Sequence, residues 1–155
     1  MVNVLFVCLG NICRSPMAEG VFRQIVKDAG LEKQIHIDSA GTSSYHIGES
    51  AHRGTLQTLK KHQIPYDGRA RQLAKEDFAK YDYILAMDRS NFSTIRARMP
   101  ENSAAKVALL LDYAEGIAEK EVPDPYYDGR FEEVYQLVSN GARNLLAAIR
   151  EEHGL

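Results

Sequence analysis

At 155 residues the chain has the length of one domain, and 45% apolar content is ample for one buried core. Its formal charge of −2, with no basic run, excludes the sequence-independent attraction to nucleic acid or to an anionic membrane that a lysine-rich face supplies. The apolar stretch at the N-terminus covers only about six residues and lacks a basic leader, so it reads as neither a signal peptide nor a membrane span; the expectation is a cytoplasmic protein folded as a single domain over residues 1–155.

Val4-Leu5-Phe6-Val7, inside a near-continuous apolar run from Val2, predicts a short strand buried on both faces. The loop Cys8-Leu9-Gly10-Asn11-Ile12-Cys13-Arg14-Ser15-Pro16 follows directly. Pro16 suits a first helical turn and Ser15 is able to cap it. Met17, Val21, Ile25 and Ala29 then recur every fourth residue beside Ala18, Phe22 and Val26, with a stop near Gly30. Ile35 to Ser39 predicts a second strand, and Thr55, Leu56 and Leu59 a helix ahead of Ile64-Pro65. Tyr83 to Met87 predicts a third strand, after which Asp88-Arg89-Ser90 starts a helix carrying Phe92, Ile95 and Met99. A fourth strand is placed near Val107 to Leu110. Beyond the turn Val122-Pro123-Asp124-Pro125, the apolar positions Val134, Leu137, Val138, Leu145, Leu146 and Ile149 mark a long last helix. Such alternation predicts an α/β fold, a parallel sheet with helices on both faces, whose ligands bind beyond the carboxyl ends of the strands. The Cys8 loop occupies that end.

The loop combines a nucleophile with a phosphate clamp. Backbone N–H groups at a helix start find no partner inside the helix and carry roughly half a positive charge, so an anion is favoured there. Arg14 adds a planar fork for two phosphate oxygens, and Cys8 a sulfur able to attack phosphorus. Gly10 permits close approach of backbone to ligand, and Asn11 tolerates the left-handed conformation that a tight anion-cradling loop needs. The phosphate-binding set is therefore Leu9, Gly10, Asn11, Ile12, Cys13 and Ser15 around Arg14. Thiols at helix N-termini beside cations titrate at ~3.5–7.5 against ~8.5 for a free cysteine. A thiolate stabilised in this way also leaves readily when water releases phosphate from sulfur.

A departing phenolate needs a proton, so a carboxylic acid should face the loop. Asp124 fits: the prolines on either side limit the wandering of its segment, and as a carboxylate it would then take a proton from the attacking water. Tyr126 and Tyr127 offer flat walls for an aromatic substrate. Each assignment has a plainer counterpart. Asp beside Pro is common turn chemistry, the two tyrosines could pack on the last helix, and Cys13 could be a small buried hydrophobe. Ser15 could cap its helix or donate its hydroxyl to the Cys8 sulfur. Asp88 and Asn91 read as helix-start residues able to hold the phosphate loop from below, and His62 as a dipole partner at a helix end. The five histidines form no metal-ligand spacing with the two cysteines, so no metal is expected.

With Val-Cys-Leu-Gly-Asn-Ile-Cys-Arg-Ser-Pro at positions 7 to 16 and Asp-Pro-Tyr-Tyr at 124 to 127, the chain resembles the low-molecular-weight protein tyrosine phosphatases along essentially its whole length. Asp38-Ser39-Ala40 and Tyr83 to Asp88 look like further segments of that family. The resemblance implies a four-stranded parallel sheet of order 2-1-3-4, as in flavodoxin-like folds. It makes Cys8 the nucleophile, Arg14 the transition-state clamp and Asp124 general acid then base, and it implies neither metal nor cofactor. Leu9, Tyr45, Tyr126 and Tyr127 would line the cleft, and Cys13 would form a reversible disulfide with Cys8. A phosphotyrosine-containing protein would be the substrate and inorganic phosphate the product. The chain departs from the animal enzymes near Gly68, where many carry a histidine that supports the loop asparagine, which leaves the brace for Asn11 to be found. Relatives acting on phosphoarginine tend to have Thr where this chain has Ile12. An arsenate reductase of the same fold would need a further cysteine pair, and none follows Cys13. A non-catalytic phosphate sensor would use the same cradle without turnover.

Overall fold

The computed structural model describes residues 1–155. Four strands, β1 (Val2–Cys8), β2 (Ile35–Gly41), β3 (Tyr83–Ala86) and β4 (Lys106–Leu109), form one sheet in the order β2-β1-β3-β4 with every pairing parallel. Because β1 is central and covered on both faces, its apolar run has no polar alternation. The pleat still divides it. Val2, Val4, Phe6 and Cys8 face one core with the helices α1 (Arg14–Asp28) and α6 (Phe131–His153), whereas Leu5 and Val7 face a smaller core with Phe78 and Ile95. Phe6 meets Phe22 of α1 edge to face, with ring centroids 5.5 Å apart.

The remaining helices are α2 (Arg53–Lys61), α3 (Asp77–Lys80), α4 (Arg89–Arg98) and α5 (Pro125–Asp128). Asp88 and Asn91 close a reciprocal capping box at the start of α4. Along α6, Val134, Val138, Ala142, Leu145 and Ile149 are fully enclosed, each large member stabilising the fold by about 1.5–3 kcal/mol. No helix is long and apolar enough to cross a membrane.

Several local expectations need correction. Leu110 does not extend the fourth strand, because the Asp112 carboxylate accepts the Leu109 N–H at 3.2 Å and turns Leu110–Asp112 into a 3₁₀ turn. The second strand continues to Gly41, held by the register that pairs Cys8 with Gly41. The third strand ends at Ala86 and does not include Met87, and the one-turn helices α3 and α5 were not anticipated, since one turn is too short to display a helical period.

β1 sits where the chain connections diverge, to β2 on one side and β3 on the other. A crevice therefore opens beyond its carboxyl end. Cys8 is the last residue of that strand.

Candidate active site

Between β1 and α1 the chain folds into a cup. Asn11 takes the left-handed conformation with φ 57°. Four of the loop carbonyls are tied back into the fold: Thr42 N–H donates to Cys8 O (2.9 Å), Ser43 N–H to Leu9 O (2.9 Å), His52 N–H to Ile12 O (2.7 Å) and the Thr55 hydroxyl to Cys13 O (3.0 Å). In contrast, none of the main-chain N–H groups from Leu9 to Cys13 donates within the protein. Amides on one side and carbonyls on the other make an anion receptor. Gly41 lets the cup sit this close to β2, since a Cβ there would lie 2.7 Å from Leu9 O and 3.1 Å from the Asn11 nitrogen.

Arg14, the first residue of α1, is 3% exposed and held from behind. Its Nη1 donates to Asp88 Oδ2 at 2.6 Å and to the Val122 carbonyl at 3.1 Å. Its Nη2 lies 3.6 Å from Asp124 Oδ2. Burial opposes the guanidinium charge, but the neighbouring Cys8, Asp88 and Asp124 outweigh it and hold its pKa above the ordinary arginine value. The Cys8 sulfur is 3.1 Å from the Ser15 hydroxyl. Ser15 is the second residue of α1, whose N-cap is Cys13, and caps nothing; of the two readings of Ser15, the contact with sulfur is the one the geometry has.

The brace for Asn11 comes from three sides. Its amide nitrogen donates to Ser15 Oγ (2.8 Å) and Ser39 Oγ (3.0 Å), and its oxygen accepts the Arg71 main-chain N–H (3.0 Å). Arg71 is itself fixed by two bonds to Asp77 and one to Asp38, each of 3.0 Å.

Asp124 is a turn residue and a cleft residue at once. Its Oδ1 accepts the Tyr126 N–H at 3.1 Å as the N-cap of α5, while Oδ2 faces Arg14. A cleft of about 250 Å³ is lined by Cys8, Leu9, Gly10, Ile12, Cys13, Arg14, Tyr45, Asp124, Tyr126 and Tyr127. Asn11 and Ser15 stand behind the loop, with side chains turned into the brace. Tyr45 and Tyr127 are 88% and 80% exposed, and Tyr126 is half-exposed, so the two tyrosines after Asp124 are not packed on the last helix. His62 does more than face a helix end: its ring stacks on Tyr135 at 3.6 Å and its Nε2 meets Glu132 at 3.0 Å.

Both cysteines are free and buried. Burial, reinforced by the nearby Cys8 and Asp124, pushes the Cys13 thiol up to about 12, against a smaller opposing effect of Arg14. Cys13 is thus a thiol at neutral pH.

Several contributors were not singled out from the sequence. His46 and Ser43 line the cleft, with His46 Nδ1 3.0 Å from Glu49. Glu19, 5% exposed, takes hydrogen bonds from Ser39, Tyr66 and Arg23 directly behind the Asn11 brace. One signal was available: Glu19 follows Ser15 by four residues, which puts a carboxylate on the same face of a helix otherwise dense in apolar side chains.

The family model described as low molecular weight phosphotyrosine protein phosphatase matches residues 3–154. The low molecular weight protein-tyrosine-phosphatase YfkJ of Bacillus subtilis is 47% identical over the full length of both chains. PtpA of Staphylococcus aureus, which carries the same description, is 45% identical over all of this chain and 98% of its own. The crystal structure of YfkJ superposes with a TM-score of 0.94, covering 98% of this chain and 96% of that one at 48% identity. Likeness of this extent in both sequence and backbone means that the chain belongs to the low molecular weight phosphotyrosine protein phosphatase family.

Proposed function

We propose that this phosphatase hydrolyses phosphotyrosine in proteins, and small aryl phosphates, through a cysteinyl-phosphate intermediate on Cys8. The observation that carries the proposal is the polarity of the Cys8 loop. The five consecutive amides from Leu9 to Cys13 have no protein acceptor, and the Cys8 sulfur, Arg14 and four of those five residues line one cleft. A phosphate monoester seated on those amides has its phosphorus against Cys8 and two of its oxygens toward the Arg14 fork. The sulfur attacks, the P–O bond to the aromatic ring breaks, and Asp124 gives its proton to the departing oxygen. Water then attacks phosphorus, Asp124 takes its proton, and the S–P bond breaks to return the thiolate and release inorganic phosphate. Exposed Tyr45, Tyr126 and Tyr127 supply planar faces for the substrate ring. They favour an aromatic ester over a phosphoarginine side chain, and side-by-side turnover of the two substrate classes checks that preference. Rapid acid quenching during turnover of p-nitrophenyl phosphate tests the chemistry: one phosphoryl group bound to Cys8 is the expected result, and turnover with no phosphoenzyme overturns it.

Asp124→Asn keeps the N-cap acceptor but cannot give a proton. We expect about a 10²-fold loss of kcat on phenyl phosphates with basic leaving groups and a much smaller loss on activated esters, because protonation helps most where the departing oxygen is most basic. A leaving-group series measures this, and equal losses across it would remove Asp124 from the acid role.

Cys13 is proposed as the resolving thiol after oxidation of Cys8. Peroxide converts the Cys8 thiolate to a sulfenic acid; attack by the Cys13 sulfur forms the disulfide and expels water, and a dithiol restores both thiols. Because burial keeps its thiol protonated, Cys13 should resist alkylation that consumes Cys8. Cys13→Ser should recover only a minor part of its activity after peroxide and dithiothreitol, and equal recovery by both proteins would dismiss the role.

A further inference from the structure

Asp124 sits on a segment with few ties to the rest of the molecule. At its start Val122 is anchored twice: its N–H donates to the Met87 carbonyl at 2.8 Å, and its own carbonyl accepts from Arg14. At its end α6 begins with Phe131, whose ring packs against Ile12, Cys13 and Ala70. Between these anchors every hydrogen bond of residues 123–129 stays local. The Tyr126 N–H goes to Asp124, the Gly129 N–H to the Pro125 carbonyl, and the N–H groups of Arg130 and Phe131 to Asp128 and to the Gly129 carbonyl. The approach of Arg14 to Asp124 at 3.6 Å is one that a bound phosphate competes for. Sideways restraint of the general acid therefore falls to packing, in which Pro125 is buried and Tyr126 half-exposed.

Tyr126 packs on His52. The two rings meet edge to face with centroids 5.8 Å apart, and the same imidazole stacks on Phe131 with 5.0 Å between centroids and 23° between planes. One ring thus touches both the middle and the end of the segment. His52 is itself fixed: its main-chain N–H donates to the Ile12 carbonyl at 2.7 Å, and its Nδ1 accepts the Gly54 N–H at 2.9 Å as the N-cap of α2. Ser, Thr, Asp and Asn are the residues that cap helices best, so capping alone does not account for an imidazole here. Gly54 is also a poor choice for a first helical turn, yet a Cβ there would run into the Phe131 ring. The start of α2 gives up helix stability at two positions, and both make room for the stack.

We infer that His52 is a positioning residue for the proton-transfer step: its ring, held against Phe131 and Tyr126, fixes the segment that carries Asp124 relative to the phosphate cup, although His52 does not line the cleft. Tyr126 and Asp124 move together, because the Tyr126 N–H holds Asp124 Oδ1 at 3.1 Å. A displaced tyrosine is therefore a displaced carboxyl group, and proton transfer to the leaving oxygen depends steeply on that distance. The cup end of the link is Ile12, whose carbonyl takes the His52 N–H and whose side chain packs with Phe131. His46, with its ring 6.5 Å from Tyr126, is a second and more distant neighbour, so loss of the His52 ring loosens the segment without freeing it. The inference rests on the reading of Asp124 as general acid.

Two substitutions separate the ring from the cap. His52→Asn keeps a capping side chain and the main-chain bond to Ile12 but removes the ring; His52→Phe keeps a ring and removes the cap. Amide exchange followed by NMR reads the segment without any substrate: the Tyr126 and Gly129 amides should exchange about tenfold faster in His52→Asn and near the parent rate in His52→Phe, whose loss is in Tm. In a leaving-group series His52→Asn should lose about tenfold in kcat on phenyl phosphates with basic leaving groups and about twofold or less on activated esters, at nearly constant KM. That loss should vanish in an Asp124→Asn background. Should His52→Phe fail to fold, His52→Asn alone decides. Parent exchange rates in His52→Asn overturn the inference, as does a loss equal across the series while Asp124→Asn keeps its own leaving-group dependence, or a folded His52→Phe that behaves like His52→Asn. Faster exchange in His52→Asn, with Asp124→Asn losing equally on every ester, would leave the hold of His52 on the segment standing and remove the acid assignment instead.

Discussion

Cys8→Ser should lower turnover of aryl phosphates by at least about 10⁵-fold, some 7 kcal/mol in the barrier, while substrate is still bound with little change. The substitution exchanges one small buried atom and leaves the cup intact. The carbonyls of residues 8, 9, 12 and 13 remain tied to Thr42, Ser43, His52 and Thr55, and the free amides stay where they are. What is lost is an anion able to attack phosphorus, since a serine hydroxyl in the same place has no adjacent base: Ser15 and Arg14 are its polar neighbours, and neither accepts its proton at neutral pH. Binding without turnover would also make this variant a trap for phosphoproteins. If instead the folded variant kept more than about 10⁻³ of the parent rate, water would be attacking the ester directly and the covalent route would be wrong.

Arg14→Lys is the second large effect, about 10³-fold in kcat. The guanidinium has two tasks that compete for one side chain. Toward the protein it satisfies Asp88 and the Val122 carbonyl through Nη1; toward the cleft its remaining N–H groups are left for phosphate oxygens. An ammonium is a point charge with no fork. It can neutralise Asp88 or approach the phosphate, but it cannot hold a planar, two-oxygen contact while anchored from behind. Keeping the charge matters for interpretation, because Arg14→Ala would leave Asp88 and Asp124 facing each other without a cation and would cost several kcal/mol of stability on its own. Steady-state kinetics combined with inhibition by vanadate measures the effect. A lysine variant within about tenfold of the parent in kcat would mean that positive charge alone suffices.

Much of the site was legible before folding because its parts are close in sequence. Cys8, Gly10, Asn11 and Arg14 lie in one strand-to-helix turn, and local backbone physics explains each: a strand that ends, a left-handed residue, a helix that begins. Asp124 was legible for a different reason, the two prolines beside it. Yet its partner, 110 residues earlier in the chain, was beyond any local argument, and so was the double duty by which one oxygen caps α5 and the other faces Arg14.

The sequence by itself determined the alternation of strands and helices, the buried central strand and the chemistry of the Cys8 turn, because these follow from period, capping and residue type over short spans. Only the tertiary structure decided what stands behind the turn. Asp88 reaches Arg14 across 74 positions, Arg71 reaches Asn11 across 60, and Tyr66 reaches Glu19 across 47. Such pairs depend on which strands become neighbours and on how the pleat turns each side chain, and a one-residue change of register would separate them all. The brace behind the nucleophile is therefore a property of the assembled sheet, even though the nucleophile's own loop can be read from nine consecutive residues.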